Sequence, residues 1–261
     1  MSDINLNRRT LLGGALLATP LGSSLLTRAR AQGQPAATGA APAVQSGETL
    51  VNAPAEPAGL LSEEVIELWP AGRVPGGEGM TISRQVLERG SATAHDRAVM
   101  QVSRPIIEVF RPKQPNGAAM VILPGGAYRR LAVDKEGAQG AHRLMEAGIT
   151  CFVLNYRLPV DGWPAGYDVA LQDAQRAVRL VRAHAQSLGV DTQRVGVMGF
   201  SAGGHLAAAM LMRYDADVYK PVDASDKLSA RPDVVMLGYS FNVVGSQPVD
   251  ITVSAETGRP L

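Results

Sequence analysis

Apolar positions along this chain fall into two rhythms from residue 104 onward. Nearly unbroken apolar runs of strand length recur in "RPIIEVFRP" (104–112), "AAMVILPGG" (118–126), "ITCFVLNYRL" (149–158), "RVGVMGF" (194–200) and "PDVVMLGYS" (232–240). All five read as strands; the run at 118–126 is continuous enough to be central in a sheet, and those at 149–158 and 194–200 read as buried. Between them the apolar spacing becomes helical. "EGAQGAHRLMEAG" (136–148) ends at Gly148, a residue suited to a helix C-terminus. "YDVALQDAQRAVRLVRAHAQSLG" (167–189) carries the stripe Val169, Ala170, Ala174, Ala177, Val178 and Val181. "SAGGHLAAAMLMRY" (201–214) reads as a third helix. Strands alternating with helices predict an α/β fold with a mainly parallel central sheet and helices on both faces.

The first hundred residues lack this order. "EVIELWPAGRVPGGEG" (64–79) ends in turn residues, and no element is assigned from there to Arg97. Residues 32–60 are rich in Ala, Pro, Gly and Gln without a period and read as a flexible linker. Residues 1–31 read as an export signal: Arg8 and Arg9, an apolar run from Leu11 to Leu26, then Ala29-Arg30-Ala31. The arginine pair fits a twin-arginine signal, although Asn7 stands where Ser or Thr would precede the pair; an ordinary secretion signal is the other reading. The apolar run is short and broken by Gly, Pro and Ser, so no permanent membrane span is expected. The expected location is periplasmic or secreted, with residues 61–261 as the folded domain.

Composition removes several functions. Twenty-five Lys and Arg against 24 Asp and Glu leave a net charge of +1, and 5% of residues are aromatic. Nucleic acid is therefore not an expected partner. The glycine runs lack a Walker lysine and a G-x-G-x-x-G pattern, which argues against nucleotide binding. Cys151 is alone, so no internal disulfide forms, and its place in a strand-like run assigns it to the core. No cofactor and no metal are called for, and no pattern specifies an oligomeric state.

Candidate chemistry centres on "VGVMGFSAGGHLAAAM" (195–210), where Gly199-Phe200-Ser201-Ala202-Gly203 fits G-x-S-x-G between a strand and a helix. That context makes Ser201 a candidate nucleophile on a sharp turn, beside a helix N-terminus that favours developing negative charge. The alternative is a structural serine capping the helix. "VILPGGAY" (121–128) places Gly125-Gly126-Ala127 after a central strand. Such a loop supplies one N–H to an oxyanion hole, from Gly126 or Ala127, and Ala202 supplies the other. The competing reading is a plain Pro-Gly-Gly turn.

The stretches "LWPAGRVPG", "VILPGGAYRRLAVDKEG", "FVLNYRLP", "LQDAQRAVRLVR" and "RVGVMGFSAGGHLAA" together resemble the α/β-hydrolase superfamily, in its secreted acetylesterase and xylan-esterase-like carboxylesterase group. Pro124 stands where many relatives have His before the oxyanion glycines. The resemblance implies an α/β-hydrolase fold and a serine ester hydrolase acting on short acyl esters, often acetyl esters of sugars. It implies Ser201 as nucleophile and Gly126, Ala127 and Ala202 around the oxyanion. Tyr128, Arg129 and Asp134 are candidate substrate contacts from their place beside that loop. The expected partner is a small-molecule ester or acetylated sugar.

The base is the difficulty. Chain order in this fold runs Ser, then Asp or Glu, then His, yet the histidines are His95, His142, His184 and His205. His205 shares a helix face with Ser201 but is read as structural. Asp217, Asp223, Asp226, Asp233 and Asp250 follow the serine without matching the position of a triad acid, and Asp173 reads either as a packing residue or as a solvated helix residue. "NVVGSQPVDITVSAETGRPL" does not resemble what the family places there. The expectation is a C-terminally truncated hydrolase domain with little or no turnover. The alternatives are a catalytically inactive, hydrolase-like binding protein, or a fragment completed by a partner.

Overall fold

The structure is a computed structural model, and it describes residues 44–91 and 93–240. The export-signal reading of residues 1–31 and the changed character of residues 241–261 lie outside the described residues.

In chain order the strands and α-helices are β1 (Thr49–Val51), β2 (Val65–Glu67), β3 (Gln85–Glu88), β4 (Arg97–Met100), β5 (Ile106–Phe110), β6 (Ala119–Leu123), α1 (Gln139–Met145), β7 (Thr150–Asn155), α2 (Asp168–Ala183), α3 (Ala185–Leu188), β8 (Val195–Phe200), α4 (Ala202–Arg213) and β9 (Val234–Gly238). Six strands form the central sheet in the order β2-β5-β7-β6-β8-β9. Strands β7, β6, β8 and β9 pair in parallel, while β5 is antiparallel to both β2 and β7. One reversed strand in an otherwise parallel sheet is a mixed sheet, and with its flanking helices it makes an α/β-hydrolase-like fold.

Alternation along β6 divides the core. Ala119, Val121 and Leu123 join the large cluster under α2 and α4. Met120 and Ile122 face the other way, with Phe110, Cys151, Val153 and Met198 against Ala141 of α1. Helices thus cover both faces of the inner strands, whereas Val234, Met236 and Leu237 on the edge strand β9 are exposed. Cys151 is buried there and burial pushes its thiol up to about 12, so it is an inert core residue.

Three readings need correction. Part of the stretch read as linker is ordered: β1 pairs with β3, and β3 with β4, in a small antiparallel sheet. The strands are only three or four residues long, too short for a periodic signal. Glu48 also pairs with Arg130 at 2.5 Å, which anchors this sheet beside the loop after β6. The helix expected over 136–148 begins earlier, with a π-helical turn at Val133–Ala138 before α1. The long helix breaks at His184, and α3 ends at Gly189 in the left-handed region.

Candidate functional site

Strand β8 delivers the chain to Ser201 at the carboxyl end of the sheet. Ser201 has φ 50° and ψ −118°, a conformation that costs a non-glycine residue about 1–3 kcal/mol. Its N–H donates to the Gly238 carbonyl at 2.9 Å, and its carbonyl accepts the N–H of His205 at 3.1 Å, starting α4. The side chain makes no capping bond, which removes the structural-cap alternative. The two motif glycines exist for backbone clearance. A Cβ on Gly199 would lie 1.9 Å from the Gly203 carbonyl oxygen, and one on Gly203 would lie 2.0 Å from that of Leu123.

The loop after β6 packs directly against this turn. A Cβ on Gly125 would lie 2.4 Å from the Phe200 carbonyl oxygen and 2.9 Å from Ser201 Cβ. Gly126, Ala127 and Tyr128 follow with φ of 139°, 56° and 56°. The Gly125 N–H donates to Glu136 Oε2 at 2.6 Å. The N–H groups of Gly126, Ala127 and Ala202 have no hydrogen-bond partner among the described residues. They are the donors left over at the turn, which is what an oxyanion hole needs.

The three proposed substrate contacts fare differently. Arg129 is exposed beside the loop. Tyr128 is buried, and its hydroxyl is bonded to His205 Nδ1 at 2.8 Å, so it faces α4 and not a substrate. Asp134 is withdrawn as well: its Oδ1 takes Arg97 Nη2 at 2.7 Å, and its Oδ2 takes Arg97 Nε at 2.9 Å and the Arg97 N–H at 2.6 Å. Both were placed by chain proximity, whereas the π-helical turn rotates Asp134 toward β4.

None of the four histidine rings hydrogen-bonds to the Ser201 hydroxyl. His95 pairs with Glu88 at 2.7 Å, the His142 ring stands edge-on to Phe110 at 5.4 Å, and His184 ends α2. His205 is buried, and its Nε2 has no partner among the described residues. Burial lowers its pKa from 6.5 to about 4, so it is neutral at pH 7. Between those values the unfolded chain binds the extra proton, so His205 weakens folding as pH falls from about 6.5 to about 4. Asp161 is buried and raised to about 7, and it contributes the opposite slope. Comparing wild type with His205→Asn isolates the histidine term. Urea unfolding at pH 7.5 and pH 4.5 should show a variant that loses about 2 to 3 kcal/mol less than wild type. Equal losses in the two proteins would show that His205 titrates normally.

Three of the acids after the serine are engaged elsewhere, and Asp250 lies outside the described residues. Asp223 and Asp226 bind Arg176 at 2.8 Å and 2.9 Å, and Asp233 accepts from the Val195 N–H at 2.9 Å. Asp173 is a packing residue, not a solvated one: it is wholly buried, chelates Arg157 and accepts from Trp69 Nε1 at 2.8 Å. A cavity of about 1010 Å³ opens at the same end of the sheet on the β2–β5 side, with Trp69, Arg104, Trp163 and Lys220 in its wall. Ser201 does not line it. Sequence reasoning missed Glu136, whose carboxylate reaches the Gly125 N–H beside Ser201.

Residues 107–234 match the family model described as BD-FAE. The chain is 40% identical over 101 residues to the acetylxylan esterase of Xylanibacter ruminicola, covering 39% of this chain and 20% of that protein. It is 29% identical over 150 residues to the ethyl acetate hydrolase of Pseudomonas putida, covering 52% of this chain and 45% of that protein. It therefore spans less than half the length of these curated relatives. The acetyl ester-xyloside bifunctional hydrolase from Caldicellulosiruptor lactoaceticus is similar in crystal structure, with a TM-score of 0.49 and 29% identity over 70% of this chain and 59% of that one.

Proposed function

We propose that this chain, a member of the esterase/carboxylesterase superfamily of the α/β-hydrolase fold, is the nucleophile-bearing part of a serine hydrolase for short acyl esters, acetyl esters of carbohydrates foremost. The observation that carries the reading is the strained Ser201 at φ 50°, packed against a loop whose next N–H groups are unpartnered among the described residues. Ser201 Oγ attacks the ester carbonyl, and the oxyanion takes N–H groups from Ala202 and from Gly126 or Ala127. The alkoxide leaves and takes up a proton, and an acyl group remains on Ser201 until water removes it. Similarity to an acetylxylan esterase and an ethyl acetate hydrolase supports the acetyl preference. A periplasmic or secreted location belongs to the same proposal and rests on the sequence of residues 1–31.

The missing imidazole contact sets the expected rate. Triad members act as a unit, and loss of the base costs on the order of a millionfold in kcat. The 261-residue chain should therefore turn over p-nitrophenyl acetate very slowly and accumulate an acetyl group on Ser201, because deacylation also needs a base. Mass spectrometry of the intact protein and its peptides reads that adduct, and added free imidazole should speed turnover. Ser201→Ala should show neither adduct nor imidazole-dependent gain beyond the solution reaction. A wild type indistinguishable from Ser201→Ala would overturn the hydrolase reading. It would favour the second one, a hydrolase-like binding protein, which the lack of an imidazole contact to the Ser201 hydroxyl among the described residues also supports.

A further inference from the structure

We infer that Glu136 is a positioning residue of the oxyanion loop. This rests on the esterase reading of the same turn. Glu136 lies in the π-helical turn Val133–Ala138, a widened geometry that recurs at functional sites. Its two carboxylate oxygens have separate partners. Oε2 accepts the Gly125 N–H at 2.6 Å, and Oε1 accepts the Tyr239 hydroxyl at 2.8 Å. A Cβ on Gly125 would lie 2.6 Å from Glu136 Oε2 and 2.9 Å from Ser201 Cβ. Carboxylate and nucleophile are thus neighbours across a single glycine.

That placement has a cost, which points to its purpose. A negative group beside a developing oxyanion disfavours the intermediate. Its bond to Gly125 offsets that cost by fixing the amide side of a loop whose carbonyls are already held, that of Gly125 by the Ala132 N–H at 2.9 Å and that of Gly126 by the Arg129 and Arg130 N–H groups at 3.1 Å and 3.2 Å. Ala127 and Tyr128 both sit at φ 56°, which non-glycine residues seldom adopt. The loop is tied at two ends, by Glu136 at Gly125 and by His205 at the Tyr128 hydroxyl. The first tie also removes Gly125 from the set of available donors, so the oxyanion meets the next N–H groups, those of Gly126 and Ala127. Through Tyr239, Glu136 further joins this loop to the segment after β9.

Hydrogen exchange and acetylation together test this. In Glu136→Ala the Gly125 amide should exchange at least about tenfold faster. The rate constant for Ser201 acetylation at saturating p-nitrophenyl acetate should fall about 10- to 100-fold with little change in the half-saturating concentration. Glu136→Gln keeps an acceptor oxygen and should restore most of both. Unchanged exchange at Gly125 in Glu136→Ala overturns the inference, as does Glu136→Gln behaving like Glu136→Ala, because the carboxylate charge itself would then matter. If wild type is never acetylated but Gly125 exchange still responds to Glu136→Ala and recovers in Glu136→Gln, the esterase reading fails and the tie to the loop stands.

Discussion

Gly203→Ala is expected to give a protein that no longer folds cooperatively at room temperature. The added Cβ meets the Leu123 carbonyl oxygen at 2.0 Å, the Leu123 carbonyl carbon at 2.7 Å and the Pro124 carbonyl carbon at 2.9 Å. All three atoms are backbone at the end of β6, the strand bonded on both sides by β7 and β8. No side chain can swing away, so either α4 lifts off the sheet or the central strand shifts. Such a change belongs with the rare losses above about 4 kcal/mol, out of a total stability of about 5–15 kcal/mol. Gly72 is the control. Its φ is 71° but nothing lies within 4 Å of its Cβ position, so Gly72→Ala should cost about 1 kcal/mol. Urea unfolding followed by circular dichroism compares the two, and equal midpoints would show that the strand–helix crossing is looser than its geometry implies.

Removing Asp173 should be nearly as damaging, by another route. Asp173 and Arg157 both have fully buried side chains at 2.7 Å. Arg157 also donates to the Pro75 carbonyl at 2.6 Å, and its guanidinium lies 4.8 Å from the centre of the Trp163 ring. Asp173→Ala leaves a guanidinium in the core without its counter-charge and leaves Trp69 Nε1 without its acceptor. Breaking one side of a buried pair costs about 3–5 kcal/mol, whereas replacing both partners with apolar groups of similar size is often close to neutral. Asp173→Leu combined with Arg157→Met should therefore recover a large part of the loss. A double variant no better than Asp173→Ala would mean that the hydrogen bonds to Pro75 and Trp69 matter more than the charge pair. In that case the fixed course of the loop over residues 70–78 would be the chief role of this network.

These two sites differ in how visible they were beforehand. Gly203 belongs to a five-residue motif whose spacing already implied a tight strand–helix crossing. The Asp173–Arg157 pair carries no local signature, because its members lie on different elements, and helical periodicity equally allowed a solvated Asp173. The same contrast holds at the turn. The sharp backbone turn at Ser201 and the close approach of the glycines of the β6 loop were legible because short-range backbone geometry constrains residue type there. Tyr128 and Asp134 were misplaced because proximity in the chain says nothing about which way a side chain points after a left-handed residue or through a π-helical turn. Glu136 was missed for the same reason.

The sequence by itself determined what depends on neighbours along the chain. It set the five strands of the apolar runs, the helices among them and the sharp turn at Ser201. Apolar periodicity and glycine spacing are local properties, and burial on two faces leaves a long strand one outcome. Only the tertiary structure decided what depends on distant partners. It reversed β5, built the small β1-β3-β4 sheet from stretches without a period, turned Tyr128 onto His205 and Asp134 onto Arg97, and brought Glu136 to Gly125. Each of those contacts is chosen by the packing of whole elements, whose free energy no short window of sequence contains.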